Sequence, residues 1–139
     1  MTRPPTPLRV LVVTNMYPTP EDPAFGVFVA TQVNSLSRAG ETVHLEFVDG
    51  RRYTTAYLTA AFRIARLARS GRFDVVHAHY GLTGFIAAFQ PLPLVVTFHG
   101  DDLLGTRTTG GGITLKSRLV RRLGHAAARR ADALICHSE

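Results

Sequence analysis

The chain alternates between two hydrophobic periods, and that alternation limits its possible folds more than any other feature. Val10-Leu11-Val12-Val13-Thr14, Asp74-Val75-Val76-His77-Ala78, Leu94-Val95-Val96-Thr97-Phe98 and Ala133–Cys136 are short apolar runs. Such runs suit strands buried on both faces, as in parallel sheets. Thr42 to Val48 alternates instead, with Val43, Leu45 and Phe47 on one side. It reads as a further strand. Between the runs the period becomes helical. Val27 to Arg38 places Val29, Val33 and Leu36 on one face and stops at Gly40. Tyr57 to Ser70 has Leu58, Ala61, Ala65 and Ala68 as its expected inner stripe, closed by Gly71. Leu82 to Phe89 is a short helix stopped by Pro91 and Pro93, and Leu115 to Ala131 is a long one.

Strands alternating with helices predict right-handed βαβ units. The expected fold is α/β: a Rossmann-like parallel sheet of order 3-2-1-4-5 with helices on both faces. In that order the sheet reverses between strands one and four, and ligands bind at the carboxyl ends of the strands beside the reversal. The connections meeting there, 15–26 and 99–112, are the longest and richest in glycine and proline. Long loops usually bind something.

At 139 residues, 45% of them apolar, the chain suits one domain with a real core. Residues 1–8 read as a disordered, proline-rich lead-in and 9–139 as the domain. The lead-in lacks the apolar segment of a secretory signal. The single cysteine, Cys136, excludes a disulfide framework and a thiolate zinc cluster, and in its apolar run it reads as an inert core thiol. The expected compartment is the cytoplasm. No apolar run approaches the roughly 18 residues of a membrane span. The net charge is +6, and 15 of the 16 basic residues are arginine, which suggests a polyanionic partner.

Familiar phosphate motifs are absent. There is no G-x-x-x-x-G-K-[ST], and no G-x-G-x-x-G follows the first strand. Gly26 opens a helix. It suits either close approach of a phosphate to the helix N-terminus or simply the start of that helix. His99, in Thr97-Phe98-His99-Gly100-Asp101-Asp102, sits past the fourth strand, where it can donate a hydrogen bond or move a proton. Asp101 and Asp102 suit catalytic carboxylates or turn caps. His77 and His79 lie two apart, so their rings share one side of a strand. One suits the core, while His79 at the strand end reaches the cleft. A metal would need a third ligand that the spacing does not supply, and none is expected. Ser138 lacks the G-x-S-x-G context of a nucleophile elbow.

From Lys116 to Arg130 the chain carries Lys116, Arg118, Arg121, Arg122, Arg129 and Arg130 and no acid, opposite a stripe of Leu115, Leu119, Leu123 and Ala126–Ala127. This basic amphipathic helix suits a solvated surface or anionic lipid headgroups. Nucleic acid is not expected, because no aromatic residues interleave with these bases.

Several segments, in order, resemble one family. They are Val10–Thr14 with Tyr17-Pro18, Gly26-Val27-Phe28-Val29, Gln32-Val33, Leu36 and Gly40-Glu41-Thr42-Val43. Asp74-Val75-Val76-His77-Ala78-His79, Val96-Thr97-Phe98-His99-Gly100-Asp101 and Ala133-Leu134-Ile135-Cys136-His137-Ser138-Glu139 follow. Together they resemble the N-terminal, acceptor-side domain of retaining glycosyltransferases of the GT-B fold, family 4 type. The resemblance implies transfer of a sugar from a nucleotide-sugar, which is a substrate and not a cofactor, to a hydroxyl on a glycan or lipid-linked acceptor. It implies His99 at the donor sugar as the catalytic group, and Gly26 near the donor phosphates, although Val27 stands where many members have a second glycine. Asn15, His79, Gly100 and Asp101 would line the acceptor side. Acceptors of this kind imply a cytoplasmic or peripheral-membrane site of action. Most of the donor would bind a second domain carrying an Arg/Lys pair and a Glu-x7-Glu motif. These 139 residues contain neither, so the chain alone is expected to be inactive. The other reading is a non-catalytic acceptor-binding module that pairs with a donor-binding chain or a membrane.

Overall fold

The computed structural model describes residues 6–100, 112 and 114–136. The elements run β1 (Arg9–Thr14), α1 (Val27–Arg38), β2 (Thr42–Phe47), α2 (Ala56–Ala68), β3 (Val75–His79) and α3 (Gly81–Ala87), then β4 (Leu94–Phe98), α4 (Leu115–Arg130) and β5 (Ala133–Cys136). All strand pairings are parallel, so the chain has the α/β, Rossmann-like fold expected of the alternation.

The strand order is β2-β1-β3-β4-β5, which differs from the expected 3-2-1-4-5 in the position of β3. The pattern of burial explains it. β3 is buried along most of its length, as an inner strand must be, whereas β2 is nowhere fully buried. β2 carries Thr42, His44 and Glu46, polar groups that an inner strand of a parallel sheet would have to desolvate. It therefore takes the edge, and β3 crosses back to pair with β1. The sheet reverses between β1 and β3.

The two faces of the sheet differ. Leu11, Val13, Val76, Ala78, Leu94, Val96 and Phe98 pack with Ala60, Ile64 and Ala68 of α2 and with Ile86 and Ala87 of α3 in one hydrocarbon core. The other face presents Val10, Val12, Thr14, His77, His79 and Thr97, all buried. It faces α1, whose Val29 is also fully buried.

Two helical stripes differ from expectation. The buried line of α2 is Ala60, Ile64 and Ala68, and Leu58 is exposed. α2 is apolar around most of its girth, so periodicity alone did not choose its inner face. On α4 the buried residues are Gly124 and Ala127, while Leu115 and Leu119 stand in solvent. α3 packs tightly under α4: a Cβ on Gly81 would lie 2.7 Å from the Gly124 Cα. Backbone therefore meets backbone there, and the larger leucines of α4 cannot face inward at that point. Cys136 is exposed, not a core thiol, because β5 is the outer strand and all four of its residues are exposed.

Polar ties fix the strand ends. The Arg9 backbone N–H and guanidinium donate to the Asp74 carboxylate, with Arg9 Nη2 2.6 Å from Asp74 Oδ1, locking the start of β1 to that of β3. This arginine holds the Asp74 carboxyl down to about 2. At the other edge, the Leu94 N–H donates to the Asp132 carboxylate, and the Leu94 carbonyl accepts from the Asp132 N–H.

Candidate functional site

β3 and α3 are joined by one residue, Tyr80. It holds φ 78° and ψ 148°, a region that favours glycine, and is the only non-glycine residue at positive φ among those described. The buried Thr83 hydroxyl clamps this joint by donating to the carbonyls of His79 and Tyr80. Strain of this kind persists only where the surroundings impose it. Its effect is to project the Tyr80 ring over the carboxyl end of the sheet.

On one side of Tyr80 lies a histidine pair. His79 Nδ1 is 3.3 Å from His99 Nε2, and the rings stack at 5.6 Å and 18°. His79 is 1% exposed and His99 is half-buried. The pairing arises because β3 and β4 run in register, His79 opposite Thr97, with His99 two residues on along the same face. Phe28 from the first turn of α1 packs 4.6 Å from the His99 ring, and Tyr80 lies 4.9 Å from it. His99 is thus held on three sides. One ring nitrogen is turned to His79, and which of the pair donates follows from the tautomer. Behind them His77 bonds the Thr97 hydroxyl at 2.8 Å, and burial pushes its pKa down to about 4, so it is neutral at pH 7.

On the other side of Tyr80 is a pocket of about 480 Å³. It opens at the β1–β3 reversal, between Asn15 after β1 and Tyr80 after β3. The Asn15 side-chain amide donates to the Tyr57 hydroxyl at 2.9 Å, and burial raises the Tyr57 pKa. Gly50 is the residue that admits Tyr57, because a Cβ there would lie 2.3 Å from its ring. Arg51 and Lys116 also line this pocket.

The remaining sequence-predicted residues fall in different places. Gly26 is buried at φ 69°, and its missing Cβ would lie 2.4 Å from the Met16 carbonyl carbon. Packing alone therefore requires glycine at the start of α1. Gly100 follows His99 at φ 90° in open space. Asp101 and Asp102 lie outside the described residues, as does Ser138. Lys116, Arg118, Arg122, Arg129 and Arg130 are exposed on α4, and Arg121 is half-buried. Only Lys116 of these reaches the pocket. No group of three metal-ligating side chains occurs among the described residues. Sequence reasoning missed Tyr57, Tyr80 and Gly50. Tyr80-Gly81, directly after a strand that ends in histidine, was the one local sign of a joint without slack.

The family model for Glycosyltransferase Family 4 matches residues 8–139, nearly the whole chain. The chain belongs to Glycosyltransferase Family 4. Comparison with curated proteins gave no significant match. Within the Family 4 domain, the histidine pair, Tyr80 and the Asn15 pocket share the carboxyl edge of the sheet, where an α/β fold of this kind binds its ligands. No helix among the described residues is long and apolar enough to cross a membrane.

Proposed function

We propose that this chain is the acceptor-side domain of a retaining hexosyltransferase, which moves a sugar from a nucleotide-sugar to an acceptor hydroxyl. The observation carrying this is the fixed His79–His99 pair beside Tyr80 at the ends of β3 and β4. A glycosyl transfer needs a polar group placed against a sugar and a way to stabilise a departing diphosphate. His99, oriented by His79 and flanked by Phe28, supplies the first through a ring nitrogen that bonds a donor-sugar hydroxyl. The N-terminus of α1, opening at Gly26 with no acidic residue in its first turn, supplies N–H dipoles for the phosphates. A donor-binding domain facing this cleft completes the enzyme.

The test is turnover of a nucleotide-sugar by this domain joined to its donor-binding partner. In that enzyme His99→Ala lowers kcat by about 10²–10⁴-fold with unchanged thermal stability. Turnover by the 139-residue chain alone would remove the acceptor-only assignment. A His99→Ala enzyme of full activity would remove His99 from catalysis and leave a binding module.

A second reading concerns location. α4 carries six bases and no acid, and Leu115 beside them is 83% exposed, which supports docking of this helix on an anionic membrane at the cytoplasmic face. Vesicles of phosphatidylglycerol should retain the wild-type chain at low salt. Arg118→Glu with Arg122→Glu should release it, and equal retention by neutral phosphatidylcholine would sink this reading.

A further inference from the structure

We propose that the pocket between Asn15 and Tyr80 takes a phosphorylated polyol, with its hydroxyls on Asn15 and Tyr57 and its phosphate on Arg51 and Lys116. The inference rests on reading this edge as the acceptor side, and it names the class of acceptor.

Three observations converge. The first is position. The pocket opens where the sheet reverses between β1 and β3, the crevice in which an open α/β sheet binds ligands, and its 480 Å³ suits a monosaccharide-sized compound. The second is Asn15. Its amide nitrogen is committed to Tyr57, which leaves Oδ1 buried with no hydrogen-bond partner among the described residues. A carbonyl oxygen in that state calls for a donor, and a ligand hydroxyl supplies one. The Tyr57 hydroxyl, already accepting from Asn15, keeps its own proton for a ligand oxygen.

The third observation is charge. Arg51 and Lys116 come from separate parts of the chain and line the same pocket, and none of its described lining residues is acidic. Arg51 lies 4.3 Å over the Phe25 ring, which holds the guanidinium plane, and its Nη1 is 3.5 Å from Asp22 Oδ2. Both partners of that ion pair are half or more exposed, so the pair is weak and exchanges readily for a bidentate phosphate. A planar fork and a compact ammonium together suit a phosphate better than a neutral sugar. The phosphate can belong to a free sugar phosphate or to a lipid headgroup.

Amide NMR titration of the chain with glucose 6-phosphate, and separately with glucose, tests the assignment. Glucose 6-phosphate should move the amides of Asn15, Gly50, Arg51 and Lys116, and glucose should bind at least about tenfold more weakly. Arg51→Ala with Lys116→Ala should erase that difference. Asn15→Ala should weaken both ligands, and Asn15→Asp should weaken the phosphate ester more than glucose. His99→Ala should leave glucose 6-phosphate binding intact, so the loss of transfer and the loss of the pocket are separate outcomes. Phosphatidylcholine vesicles with and without phosphatidylglycerol distinguish the sources. A lipid source appears as phosphatidylglycerol-dependent shifts at Asn15 and Gly50 that the Arg51/Lys116 double variant removes. Equal affinity for glucose and glucose 6-phosphate, or an unaffected Arg51/Lys116 double variant, overturns the phosphate assignment. No shift at these amides with any of the probes overturns the pocket itself.

Discussion

The two faces of this one sheet are built on different terms. Toward α2 and α3 it presents only hydrocarbon, from Leu11 to Phe98. Toward α1 it buries Thr14, His77, His79 and Thr97 among its valines. Burial is similar on both sides, but only one side must satisfy polar groups, and that side leads directly to His99. The hydrocarbon face can carry stability without reference to chemistry. The imidazole face gives up hydrocarbon contact and gains orientation at the carboxyl edge.

Substitutions can break this contrast, beginning with the largest expected effect. Phe98→Ala, on the hydrocarbon face and 1% exposed, should lower unfolding stability by about 3–5 kcal/mol in urea titrations. A loss below about 1 kcal/mol would mean that this face is not the main core.

The next effect belongs to the imidazole face and depends on pH. Burial holds His77 near a pKa of about 4, below its ordinary 6.5. The unfolded chain therefore takes up a proton in a window where the folded chain does not. Stability from the neutral ring is fully present above 6.5 and is lost as the pH falls toward 4, by on the order of 3 kcal/mol. His77→Leu should flatten that slope of stability against pH. An unchanged slope in the variant would assign the titration to another group.

The smallest effect is at the joint between the faces. Tyr80→Gly relieves a positive φ in a strained region and should raise stability by about 1 kcal/mol. The same change removes the ring beside His99 and the wall of the Asn15 pocket, so ligand binding should fall as thermal stability rises. Loss of both together would show that the ring serves packing more than the site.

Much of the fold was legible because hydrophobic period is local. β4 and α1 fall on the residues their patterns predict. The order of the strands was less so. The alternating Thr42-Val43-His44-Leu45-Glu46-Phe47 did mark an edge, but that meaning follows only when β2 is weighed against the more apolar β3. Leu58, Leu115 and Leu119 misled for the opposite reason. Their spacing is helical, yet α2 is apolar around most of its girth, so its period did not select a face, and the inner face of α4 was set by its close approach to α3, as at Gly81 on Gly124. The positions of His79 at the end of β3 and of His99 just past β4 were readable from the apolar runs that precede them. Tyr57, Gly50 and Asn15 meet only through folding, because the bond from Asn15 to Tyr57 spans 42 positions of sequence.

The one-residue link at Tyr80 also bears on how this domain can diversify. Thr83 and the close seat of α3 under α4 leave no room there to lengthen or shorten the chain. New ligand preferences must enter through the long connections on either side, 15–26 and 99–112, while the Tyr80 joint stays constant in length. Insertion libraries should tolerate added residues at the tip of the first connection and reject even one between His79 and Gly81.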